Sequence, residues 1–363
     1  MDPRALRRLV AEVGLEDAGE IVAFATTDQL TQIFDEDLWR SRAPGVDDAF
    51  DASRFRLWIH VLLEAGDAFA AERVTELSED LVTLAIHESV LVLHVDDLAR
   101  RVLAGAEDLE KALEDCLSEE LDEHLLIARS HDGWDDVLTL LLALDRDHHA
   151  YLVRLLDRCA ALASDVIEDG EGLYDVLGGG EMLASDVADE RDTRRAEAGF
   201  VAPSDAAAFL KLARGAMADA SPSYREHDAI TKAHLQRSSG TARRPLVKGE
   251  VALGAHAAAM LPRASSKRSS LLVTAMQRLA DEDPPTFAAR SEELAYLANV
   301  LVAGLPHEGR RMRPVEAVRA ALAACERGLT LAMQADGLAA HAALQDYPAD
   351  GLFRWGWAAD GVP

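Results

Sequence analysis

The sequence is poor in cysteine, aromatic residues and lysine. These shortages bear in turn on disulfide bonding, on the composition of the core, and on the genome or environment of the protein. Its three cysteines, Cys116, Cys159 and Cys325, form no CxxC pair, which argues against a disulfide framework and favours free thiols. Aromatic residues make up only 5% of the chain, so leucine, valine and alanine must build most of the core. Only five of the 37 basic residues are lysine, a bias that suits a GC-rich genome or adaptation to salt.

Long apolar runs are also missing. The longest candidate, Val137 to Leu144, covers about two helical turns, whereas a membrane-spanning helix needs roughly 20 apolar residues. The N-terminus leads into an amphipathic stretch with Glu12 and Glu16 and lacks the apolar core of a secretory signal peptide. We therefore expect a cytoplasmic protein without membrane insertion.

The net charge of −27 is unevenly distributed along the 363 residues. Residues 1–200 contain 47 acidic and 18 basic residues, whereas residues 201–363 contain 17 and 19. Between 225 and 268, nine basic residues accompany three acidic ones. This basic stretch is either a solvated loop, a face that docks on the acidic half of the same chain, or a site for an anionic partner.

Nucleic acid is an unfavoured partner for this basic stretch. A strongly negative protein repels phosphate at long range, and the stretch lacks interleaved aromatic residues apart from the neighbouring Tyr224. We predict instead that it contacts an acidic protein surface, either within residues 1–200 or on another protein. The residues predicted to make this contact are Arg243, Arg244, Lys248, Arg263, Lys267 and Arg268.

Helical periodicity dominates the chain. Apolar residues recur at helical spacing in most segments, and Thr26 with Gln29 has the spacing of a capping box. A long helix is predicted to begin after Ser78 and to run toward Gly105. We predict an all-α fold, an irregular or solenoid-like stack of about a dozen short helices. At most one minor β element is expected, near 124–129, where a short apolar segment precedes a turn.

The best candidate for a domain boundary is the segment 219–249. Pro222, Ser238 to Gly240, and Pro245 interrupt any periodicity there. We therefore predict an acidic helical domain over 1–218 and a basic flexible linker over 219–249. A C-terminal helical domain over 250–363 is expected to pack on the first.

The common catalytic and nucleotide-binding motifs are absent from the sequence, including GxSxG, the P-loop and HExxH. Its twelve histidines suggest metal sites, but each candidate has a simpler interpretation. His87 and His94 stand two turns apart on the predicted helix, too far to chelate one ion. Asp147 is interpreted as an N-cap that precedes His148 and His149. We therefore assign no catalytic, cofactor-binding or metal-binding residue and predict no cofactor.

Several segments share a pattern with one known bacterial family. They are Leu15 to Ala18 through Gln29-Leu30, Leu62 to Gly66, Arg191 to Arg195, Gly199 to Leu210, Arg313 to Ala317 and Leu352 to Trp357. In these segments the chain resembles the uncharacterised domain of unknown function 6178. The family has no assigned activity, so the resemblance implies no catalytic residue. Residues 15–40 are also similar to the helical N-terminal domain of magnesium transporters, which implies a superhelical fold and nothing more.

These observations favour a non-catalytic helical protein that serves interaction, scaffolding or regulation and binds a protein partner. The alternative is an enzyme or small-molecule sensor with a pocket between helices, with or without a metal. The features that best support this alternative are the histidine and acid segment 131–149 and the basic stretch 225–268. Stoichiometric metal in the purified protein would favour it.

Overall fold

The computed structural model describes residues 3–96, 116–168, 179–215, 224–239, 270–307 and 310–359. These residues form two compact units, each with its own hydrophobic core. Unit 1 comprises Met1–Arg40 and Ala49–Arg191, and unit 2 comprises Ser41–Asp48 and Asp192–Pro363. Most described residues of both units are helical, so the predicted all-α class is confirmed. None of the helices in these ranges is long and apolar enough to cross a membrane.

Most helices of unit 1 begin and end where the local sequence predicts. They are α1 (Pro3–Val13), α2 (Gly19–Val22), α3 (Thr27–Asp37), α4 (Ala52–Glu64), α5 (Asp67–Thr75), α6 (Glu79–Ser89), α7 (Trp134–Glu168) and the first part of α8 (Gly179–Glu197). The Thr26 hydroxyl accepts a hydrogen bond from Gln29 N at 3.3 Å, and Gln29 Oε1 accepts one from Thr26 N at 2.9 Å. This is the predicted capping box at the start of α3.

The described residues of unit 1 also form five short strands, which belong to two small antiparallel sheets. The strands are β1 (Trp39–Arg40), β2 (Ala49–Phe50), β3 (Val90–His94), β4 (Ser118–Leu121) and β5 (His124–Ala128). β1 and β2 pair as a two-stranded ribbon, whereas β3, β5 and β4 form one sheet in that order. The β element predicted near 124–129 is β5. Its two partner strands and the short ribbon were not predicted.

The long helix predicted after Ser78 is wrong beyond Ser89, where α6 ends and β3 begins. The reason is strand pairing, because every residue of β3 lies opposite a residue of β5. Val90 and Val92 are β-branched and fully buried on one face of the sheet, which suits a pleated strand better than a helix. His94 therefore lies on a strand, and not on the same helix as His87.

Unit 2 is built from helices around a mainly aliphatic core that includes several aromatic side chains. The helices are the end of α8, α9 (Pro203–Arg214), α10 (Ala229–Ser239), α11 (Leu271–Glu282), α12 (Pro284–Gly304), α13 (Pro314–Asp336), α14 (Ala340–Asp346) and α15 (Ala349–Ala359). Two short strands, β6 (Pro306–His307) and β7 (Arg310–Arg311), pair as an antiparallel ribbon. The aromatic side chains of α15 pack into the core, where Trp355 stacks on Tyr224 with ring centroids 5.0 Å apart.

The division between the units falls between Arg191 and Asp192, and not in the segment 219–249. The structure describes residues 224–239 of that segment, and they are folded. Tyr224 is buried in the core of unit 2, and α10 occupies Ala229–Ser239. The remaining residues of the predicted linker lie outside the described ranges, as do residues 250–269.

Candidate functional site

The six residues predicted to contact a partner all lie outside the described residues. They are Arg243, Arg244, Lys248, Arg263, Lys267 and Arg268. Three other bases of the same stretch, Arg225, Lys232 and Arg237, are described. Arg225 donates to Asp336 Oδ2 at 2.8 Å, and Arg237 donates to Asp205 Oδ2 at 2.6 Å. Both of these bases serve ion pairs inside unit 2.

A shallow pocket opens on unit 1 between α2 and the C-terminal end of α4. Its lining residues are Gly19, Glu20, Ala23, Phe24, Glu64 and Ala65. Phe24 is 89% exposed, although burial of a phenylalanine side chain is worth about 1.5–3 kcal/mol. Among the described residues, neither Glu20 nor Glu64 has an ion-pair partner. The pocket therefore combines an exposed aromatic ring with two free carboxylates.

Three potential metal ligands converge at one end of the sheet in unit 1. His94 on β3 and His124 on β5 are cross-strand partners, and their ring centroids are 4.6 Å apart. Asp157 on α7 reaches the same place, where its Oδ1 atom lies 3.1 Å from His124 Nε2. One ligand atom from each of the three residues lies within 4.8 Å of the other two. We call these residues the histidine cluster.

The members of the histidine cluster differ in their environments. His124 is 3% exposed, whereas the Asp157 side chain is 54% exposed. Burial and the neighbouring His94 lower the pKa of His124, and the hydrogen bond to Asp157 offsets part of that shift. Burial therefore favours the neutral form of the ring. Its Nδ1 atom is buried and has no hydrogen-bond partner among the described residues.

The segment 131–149 contributes to a second, exposed group. His149 Nδ1 lies 2.8 Å from Asp145 Oδ1 and 3.7 Å from Asp122 Oδ2. The hydrogen bond to Asp145 raises the pKa of His149. Asp147, predicted as an N-cap, instead accepts two hydrogen bonds from Arg146, and α7 continues with a kink at His148. This group is an i,i+4 pair on a helix surface with a third carboxylate nearby.

Unit 2 contains a network of ionisable side chains, most of them buried, that holds helix ends together. Its members are His227, Asp228, Arg290, Glu293, Asp350 and Arg354. Asp228 Oδ1 accepts hydrogen bonds from the backbone of α10 at 2.9 and 3.1 Å. Glu293 accepts one from Ala349 N at 2.6 Å, at the start of α15. Arg290 donates to the Leu344 carbonyl at 2.8 Å, near the end of α14. These bonds satisfy backbone groups that helix ends leave unpaired.

His227 and Asp350 form the centre of this network. His227 Nδ1 lies 2.7 Å from Asp350 Oδ1, and its Nε2 lies 3.6 Å from Glu293 Oε1. The hydrogen bond to Asp350 raises the pKa of His227. Burial alone would raise the pKa of Asp350, but His227 and Arg354 lower it below its ordinary value. Burial raises the pKa of Glu293.

The raised pKa of His227 predicts a pH-dependent contribution to stability. A protonated His227 is stabilised in the folded state, so its contribution is complete below the ordinary value of 6.5 and is lost as the pH rises through the folded value. We expect the stability advantage of the wild type over His227→Gln to shrink as the pH is raised above the ordinary value of 6.5. Urea unfolding of both proteins below and above this value measures it. A difference that stays constant with pH would contradict the assignment.

Sequence reasoning missed both the histidine cluster and the buried network. His94 and His124 are brought together by strand register, which a helix prediction over 78–105 conceals. The short continuous apolar runs from Val90 to Leu93 and from Leu125 to Ala128 were the available signal, because such runs also occur in buried strands. Nothing in the local sequence links His227 to Asp350, because their contact depends on how α10 and α15 pack.

Comparison with known proteins supports the resemblance found in the sequence. Residues 1–164 match the Family of unknown function (DUF6178). The predicted resemblance is thereby confirmed over this range, which includes Phe24 and the histidine cluster. The DUF6178 match does not extend to the segments quoted from 191–210 and 313–357. No curated protein and no solved structure matches the chain. The likeness to magnesium transporters stays a prediction.

Proposed function

We propose that the chain is a non-catalytic helical interaction protein, a scaffold or regulator, that binds a protein partner through the Phe24 pocket of unit 1. The observation that carries this proposal is the 89% exposure of Phe24 beside two unpaired carboxylates. Large aromatic side chains are frequent anchors of protein interfaces, where their burial supplies much of the binding energy. A pocket whose wall includes an exposed aromatic ring is suited to bind a side chain that projects from a partner protein.

The charges around the pocket define the chemistry of the partner. Glu20 and Glu64 are both exposed, and the last carbonyl groups of α4 add the negative end of a helix dipole. An arginine or lysine of a partner would pair with Glu64 and lie over the Phe24 ring, a contact favoured within about 6 Å. The partner is therefore a protein segment that carries a basic side chain next to an apolar one.

The buried network of unit 2 supports a structural role for that unit. Asp228, Arg290 and Glu293 all bond to backbone groups at helix ends. Such bonds stabilise the helical arrangement and account for the buried charges without a substrate. A rigid helical body is the property that a scaffold requires.

The basic residues Arg243, Arg244, Lys248, Arg263, Lys267 and Arg268 remain a second proposed contact surface. Each exposed ion pair is worth under about 1 kcal/mol, so their effect would be the sum of several weak contacts. This attraction would extend over roughly 8 Å at physiological salt and weaken as salt is added. We propose that they contact an acidic protein surface.

Substitution of Phe24 tests the interaction proposal. We expect Phe24→Ala to weaken the main partner complex by about 2 kcal/mol, roughly 30-fold, because an anchor side chain is lost from the interface. Glu64→Lys should weaken it as well, through charge repulsion. The partner is identified by affinity purification from the native organism, and its dissociation constant is then measured with each purified variant.

Leu142→Ala is the matched control, because Leu142 is another exposed apolar residue of unit 1, on α7. This variant should bind the partner as the wild type does. Reversal of Arg243, Arg244, Lys267 and Arg268 to glutamate tests the basic surface in the same assay. Equal binding by wild type, Phe24→Ala and Glu64→Lys would contradict the proposal for the Phe24 pocket.

A further inference from the structure

We propose that His94, His124 and Asp157 form a binding site for a divalent transition-metal ion, with Zn²⁺ the best match. Two imidazoles and one carboxylate come from three separate elements, β3, β5 and α7, and converge on one point. Imidazole and carboxylate donors are the ligands that zinc uses together in proteins. Ca²⁺ and Mg²⁺ fit less well, because they prefer a full set of oxygen ligands.

The spacing of the donor atoms suits this ion. His124 Nε2 and Asp157 Oδ1 are 3.1 Å apart. Two ligands of a tetrahedral zinc ion, each bonded at roughly 2.0–2.1 Å, lie about 3.3 Å from one another. The third donor is already within 4.8 Å of both, so a small side-chain adjustment of His94 completes the set.

The backbone holds the two histidines in place. They face each other in the register of the β3–β5 pair, so both side chains project from the same face of the sheet. The neighbouring pair on that face, Val92 and Leu126, is fully buried in the core of unit 1. A site anchored on paired strands is more precisely positioned than one built on a loop.

His124 presents a ligand atom to the site from a buried position. The residue is 3% exposed, and its Nε2 atom faces the Asp157 carboxylate at 3.1 Å. The packing that buries the ring fixes the position of this ligand atom.

The site is open on one side. The Asp157 side chain is 54% exposed, so an ion can enter from solvent and a water molecule can occupy a fourth coordination position. Three protein ligands with one open position are typical of exchangeable and catalytic zinc sites, whereas structural sites are closed by four. We therefore expect measurable, reversible binding.

Zinc titration of the full chain, stripped with a chelator, tests the site. Isothermal titration calorimetry should give one strong Zn²⁺ site per chain. His94→Gln and Asp157→Asn should each weaken it at least about 100-fold, since even partners outside the first coordination sphere cost 10–100-fold when removed. These two variants carry the test because His124 lies in the core. Circular dichroism establishes that each variant is folded.

His149→Gln is the matched control, because His149 belongs to the exposed group with Asp122 and Asp145. This variant should keep the affinity of the wild type. Co²⁺ replacing Zn²⁺ should show the absorption bands of a tetrahedral nitrogen and oxygen site, and these bands should be lost in His94→Gln. Failure of the wild type to bind zinc, or equal binding by folded His94→Gln, would overturn the proposal.

Discussion

Alanine at Gly328 or Gly356 is expected to reduce the free energy of unfolding of unit 2 by about 3 kcal/mol or more, the upper range for overpacking. Gly328 lies on α13 and Gly356 on α15. A Cβ atom at Gly328 would lie 1.9 Å from the Leu352 carbonyl oxygen, and one at Gly356 would lie 1.9 Å from that of Ala324. Both obstructing atoms belong to the backbone, so a side-chain rotation cannot relieve the clash. The two helices would have to separate.

Gly215→Ala provides the matched control. A Cβ atom there would meet its nearest neighbour at 3.6 Å, an ordinary van der Waals distance, and the residue has a right-handed backbone conformation. We expect its effect on stability to stay within about 0.5 kcal/mol. Urea unfolding of the three variants measures the difference. If Gly328→Ala were as stable as Gly215→Ala, the close crossing of α13 and α15 would be incorrect.

The sequence predicted features that depend on neighbours along the chain. The capping box at Thr26 and Gln29 forms as expected, and α4 occupies Ala52–Glu64 as its apolar spacing indicates. Local hydrogen bonding and amphipathic periodicity determine these features, and both can be identified within a few residues.

Features that depend on distant partners could not be predicted in this way. Val90 to His94 continues an apolar pattern that suits a helix, and only pairing with β5 makes it a strand. By local sequence alone, Gly328 and Gly356 only lower the stability of their helices. The requirement for glycine becomes visible where α13 and α15 cross, because the backbone of the other helix occupies the place of a Cβ atom. The histidine cluster depends on the same strand pairing, so an incorrect helix also concealed the candidate metal site.

Removal of the Asp350 carboxylate is expected to reduce the free energy of unfolding of unit 2 by about 3–5 kcal/mol. Asp350 is completely buried and accepts hydrogen bonds from His227 at 2.7 Å and from Arg354 at 3.4 Å. Asp350→Ala would leave the buried Arg354 without this charge partner. Arg354 would keep only Asp228 as a charge partner, at 3.8 Å, so the main cost is a buried charge that is less well compensated, and not the loss of a favourable pair.

The comparison with an exposed ion pair isolates the effect of burial. Glu282 pairs with Arg278 on the surface of α11, where both side chains are about half exposed. Glu282→Ala should cost no more than about 0.5 kcal/mol, because water screens the pair and hydrates the remaining arginine. A double-mutant cycle of His227→Gln and Asp350→Ala should give a coupling energy of about 1–3 kcal/mol. If Asp350→Ala cost no more than Glu282→Ala, the buried network could not be what holds these helix ends together.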